Sequence, residues 1–166
     1  PNFAPPAAYT QIDSQINFNY GSASPSNGSV TLPVDNFAVR WTGQQQIPTS
    51  GNYQFTVVRE DDVRVTVNNV VIINYQNSDI TGPAPVTGTV ALAAGTATIV
   101  VEFIARTGNA SIVFYYQLVA GNATNIPGIY FTPTTTLPAS RTPLPAIPPG
   151  AITATVIRAS VVNGRD

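Results

Sequence analysis

Asp61 and Asp62 are adjacent carboxylates in a chain otherwise poor in reactive side chains. Two such groups supply hard oxygen ligands of the kind that Ca2+ gathers about six to eight at a time. The same pair can equally form a turn neutralised by guanidinium, and Arg59, Arg64 and Arg106 are the candidates for that role. The 166 residues include no His, Cys, Met or Lys. The commonest metal ligands and the usual general base are therefore missing, and no Ser–His, Cys–His or Lys nucleophile can be assembled. Glu102 has no second carboxylate at a spacing suited to glycoside hydrolysis. These residues point away from an enzyme.

Three sequons, Asn27-Gly-Ser29, Asn109-Ala-Ser111 and Asn122-Ala-Thr124, fall in expected loops and mark candidate N-glycosylation at Asn27, Asn109 and Asn122. The Thr/Ser/Pro stretch 132–143 is suited to O-linked sugars. Such a coat would suit a surface that carries little charge. Only 9% of residues are charged, against roughly 25% in an average soluble domain. The net charge of −1 leaves no basic face for nucleic acid. The apolar runs, such as Val70–Ile73, are strand-length, so no membrane-spanning helix is expected.

The elements that must position these groups read as strands. Helix formers are scarce, β-branched residues dominate the apolar set, and Pro or Gly recurs throughout. Strand-like runs occur at Gln15–Tyr20, Phe37–Thr42, Tyr53–Arg59, Val63–Val67, Val70–Tyr75, Val86–Leu92, Thr96–Ile104 and Ser111–Leu118. In the second of them Phe37, Val39 and Trp41 share a face, with Arg40 opposite, so Trp41 reads as a core aromatic. Tyr115 and Tyr116 point to opposite faces, so at most one is a surface contact. Asn68-Asn69 suits a two-residue hairpin with positive φ. The regular spacing of short strands is that of a sandwich or barrel.

Four segments in order resemble the PA14 domain family over about residues 14–120. They are Ile16–Pro25, Asp35-Asn-Phe-Ala-Val-Arg-Trp-Thr-Gly43, Ser50-Gly-Asn-Tyr-Gln-Phe55 and Glu60-Asp-Asp-Val-Arg-Val-Thr-Val-Asn-Asn69; Leu92–Gly95 and Val100–Phe103 echo a later pair. The resemblance implies an all-β fold, an antiparallel β-sandwich of jelly-roll type, found in surface proteins, toxins and glycosidases. In sugar-binding members a consecutive Asp pair holds Ca2+, which coordinates sugar hydroxyls. On that pattern Asp61 and Asp62 are the metal ligands. The chain departs from it at Val63, where the family has Gly, and at Ala105-Arg106-Thr107, where the lectins have an Asn ligand.

The organisation expected is an N-terminal arm over 1–13, the sandwich over 14–131, a Pro/Thr-rich spacer over 132–150 and an extra strand within 151–166. The spacer holds six of the fifteen prolines and should be extended. The strand after it is apolar on both faces, with Ile152, Ala154 and Val156 on one and Ile157 and Val161 on the other. A strand cannot satisfy its backbone alone. These residues are therefore expected to contact a sheet, either of the same subunit or of a neighbouring copy. Two functions follow. One is an extracellular structural or adhesive subunit that self-assembles into filaments by strand donation. The other is a Ca2+-dependent carbohydrate-binding module of a larger adhesin or glycosidase.

Overall fold

The computed structural model describes residues 3, 6–76, 80–119 and 152–157, the last six by backbone alone. Among them the chain forms ten strands and no helix. These are β1 (Ala7–Asp13), β2 (Asn17–Gly21), β3 (Phe37–Ile47), β4 (Gly51–Arg59), β5 (Asp62–Val67), β6 (Val70–Tyr75), β7 (Ala84–Leu92), β8 (Gly95–Ala105), β9 (Ala110–Leu118) and β10 (Ile152–Ile157). Two sheets result, of order β1-β10-β3-β8-β5-β6 and β2-β9-β4-β7, all pairs antiparallel.

Alternation along the strands sends one face of each sheet inward. Phe37, Val39 and Trp41 of β3 meet Phe55 and Val57 of β4 in a dry core, all of them buried. The outward face of β3 carries Arg40, in register with Glu102 of β8, which is itself in register with Arg64 of β5. Glu102 is thus gripped from both sides, by Arg40 at 2.7 Å and by Arg64. Asn68 and Asn69, at φ of 46° and 66°, close the β5–β6 hairpin as the sequence predicts.

Two expectations change. The arm expected over 1–13 contains a strand, β1, because its backbone finds a partner in β10. The strand expected over Phe37–Thr42 continues to Ile47, since Gln44, Gln45 and Gln46 pair with Thr98, Ala97 and Thr96 of β8 despite their polarity. The spacer expected over 132–150 lies outside the described residues.

The sheets approach each other where β6 faces β7. A side chain added at Gly88 would come within 2.2 Å of the Ile72 carbonyl oxygen. Only glycine allows that closeness, and it closes one side of the sandwich.

Candidate functional site

The acidic pair lies where the chain crosses between sheets. β4 belongs to one and β5 to the other, and Glu60-Asp61 is the whole connection. Asp61 makes the turn in the left-handed region, at φ 72°, a conformation Asp tolerates better than most residues. Its carboxylate is fully buried and accepts the Arg106 N–H at 2.7 Å and the Ile80 N–H at 3.4 Å. Asp62 accepts from the Arg106 guanidinium at 2.6 Å. The Arg106 carbonyl in turn accepts from Asn36 N–H at 2.8 Å. Arg106 therefore ties the crossover, the β8–β9 turn and the entry to β3 into one corner.

Of the three arginines the sequence offered, Arg106 reaches the pair; Arg64 goes to Glu102, and Arg59 lies over the Tyr75 ring at 5.1 Å. Ca2+ would need several more oxygens than two carboxylates supply. Among the described residues no group of three or more His, Cys, Asp or Glu is placed to hold a metal. A cation in this corner would also face the guanidinium already there. The donor set does not fit a Ca2+ ion.

The second feature is a slot between β1 and β3. β10 fills it, antiparallel to both, with Ala154 in register between Gln11 and Trp41, and Ile152 between Asp13 and Gly43. β1 has no other strand partner among the described residues. Beyond its ladder, one side-chain bond crosses the slot on the core side. The Trp41 indole N–H donates to Asp13 Oδ2 at 3.0 Å, and Gln11 Nε2 donates to Asp13 Oδ1 at 2.9 Å. The indole stacks on Phe18 of the opposite sheet, ring centroids 5.6 Å apart and planes 12° off parallel. Sequence reasoning placed Trp41 in the core and missed Asp13, whose only sign was a lone carboxylate closing a mixed heptapeptide.

Ile152, Ala154, Val156 and Ile157 all belong to β10 and pair within their own chain; Val161 lies outside the described residues. Asn27 and Asn109 are exposed on the β2–β3 and β8–β9 connections, and Asn122 lies outside the described residues. Asn27 Oδ1 accepts from Ser29 and Val30 N–H at 3.0 and 2.8 Å. Tyr116 turns inward to stack on Phe55. Burial, with Tyr53 beside it, raises its hydroxyl above the ordinary 10.0.

Comparison with known proteins gives a consistent family. The family model described as PA14 domain matches residues 1–127. The anti-sigma-I factor RsgI3 of Acetivibrio thermocellus is 40% identical over 70 residues, which is 42% of this chain and 10% of that protein. An anti-sigma factor domain-containing protein from Clostridium clariflavum superposes with a TM-score of 0.58 at 26% identity, covering 71% of this chain and 39% of the other. The PA14 domain of the MpAFP antifreeze protein superposes with a TM-score of 0.50 at 18% identity, covering 68% of this chain and 65% of that one. The chain thus spans a tenth of the curated relative and about two fifths of the Clostridium structure.

Proposed function

The chain belongs to the PA14 domain family, and from that premise we propose that it is an extracellular structural and adhesive protein, a filament subunit joined to its copies by β-strand donation. The observation that carries the reading is the slot between β1 and β3, filled by a strand from far along the chain. Thirty-three residues separate Leu118 from Ile152. Fully extended they span up to about 120 Å, whereas packed sheets lie about 10 Å apart. A spacer of that length greatly exceeds what return to its own sheet needs, and its prolines favour extension. A strand supplied head-to-tail by another copy makes a contact that does not close on itself, which builds a fibre. The self-filled chain is then the monomeric form.

An extracellular setting agrees with the low charge and with the exposed sequons at Asn27 and Asn109. Sugar binding through Ca2+ at Asp61 and Asp62 is the weaker alternative, because Arg106 already supplies a cation at that corner.

The absence of cysteine gives a clean test. Thr10 and Thr155 are partners in the β1–β10 ladder. Directly opposed positions are at disulfide distance. Thr10→Cys with Thr155→Cys, oxidised after assembly, is expected to give a covalent ladder on a non-reducing gel. Fibres whose oxidised subunits all run as monomers would sink the proposal.

A further inference from the structure

We infer that the Trp41–Asp13 hydrogen bond is a gauge that admits to the slot only a strand with a small residue at its centre, and so fixes the strand's register. β1 and β3 flank the inserted strand at about 9.5 Å from each other, two strand spacings. An indole rooted on β3 that bonds a carboxylate on β1 must therefore pass over the strand between them. Its other face is closed by Phe18 of the opposite sheet. The ring occupies the whole layer between Phe18 and the inserted backbone. The register position flanked by Trp41 and Gln11 lies beneath it, and the sequence has Ala154 there.

The residues on either side show what the gauge rejects. A slip of one residue turns the other face inward and brings Thr153 or Thr155 to the core side. A slip of two residues keeps the apolar face inward, so hydrophobic burial alone does not forbid it. It would set Ile152 or Val156 under the indole. Only the bridge discriminates against that slip. The slot is thus a binding site for an extended segment of the pattern large apolar, any, Ala, any, large apolar, uncharged on its inward face. The gauge acts alike on a strand of the same chain and on one from another copy.

Trp41 is the sole Trp, so its emission reads the slot directly. In the full chain, Ala154→Leu is expected to shift that emission to the red and lower the urea midpoint. Thr153→Leu and Thr155→Leu, at the outward register positions, are expected to leave both as in the unmodified chain. Trp41→Phe supplies the second arm, because a phenyl ring ends short of Asp13. In that background the loss of midpoint caused by Ala154→Leu should shrink, read by circular dichroism. If Ala154→Leu alone fails to fold, recovery of a cooperative transition in the double variant supports the gauge, and no recovery overturns it. An Ala154→Leu chain with unshifted emission and midpoint, or an equal loss in both backgrounds, also overturns it. Fibre formation is scored separately by electron microscopy, so failure of strand donation leaves this result readable.

Discussion

A buried carboxylate persists only when its charge is answered, and three residues here answer it in different ways. Asp61 uses backbone N–H groups, Asp62 a guanidinium, and Asp13 an indole and an amide. Donors to an ionised acceptor are stronger than neutral pairs, and leaving one such acceptor without its donor is expensive. Arg106→Ala should therefore destabilise the chain by about 1–3 kcal/mol, a range kept low because the arginine is 31% exposed. The measurement is a shift of the urea midpoint. Calorimetric titration of the unmodified chain with CaCl2 should give no binding heat, and a saturable heat would return the corner to metal binding. From sequence the acidic pair was visible, and so was its choice between a metal and an arginine. The choice itself was not, since Arg106 lies 44 positions away and only the β5–β8 pairing brings the two together.

At the scale of elements, glycine marks the tightest approach. Gly88 of β7 sits against the Ile72 carbonyl of β6, where a Cβ would meet backbone rather than a movable side chain. Gly88→Ala should force the two strands apart and lower stability by about 1–3 kcal/mol, as overpacking does, whereas Gly108→Ala meets no neighbour and tests only its φ of 83°. Comparing the thermal midpoints of the two variants separates close approach from backbone conformation. Most strands were legible, because Phe37–Trp41 and Tyr53–Val57 alternate cleanly and Asn68-Asn69 announces its hairpin. β1 was not. Its sequence Ala-Ala-Tyr-Thr-Gln-Ile-Asp follows prolines and carries no strong pattern, and the partner that makes it a strand lies some 140 positions further on. The polar end of β3 escaped for a related reason, since Gln44–Gln46 are held by a ladder and not by burial.

For the whole molecule, β10 is the element on which both the first strand and assembly depend. A chain ending at Gly150 lacks it, and β1 then loses its ladder partner. Such a chain is expected to show no fibres by electron microscopy under conditions in which the full chain forms them, and to melt at a lower temperature. Fibres that survive the truncation would show that assembly uses another surface. The β1–β10 and β10–β3 pairings also impose an order in time. Synthesis proceeds at roughly 5–20 residues per second, so the thirty-three residues after Leu118 take roughly 2–7 s to appear before Ile152 does. Throughout that interval the first nine strands exist and the tenth does not. A nascent subunit therefore offers a vacancy to strands already made before it can supply its own, and neighbours that are present early have the first claim on it.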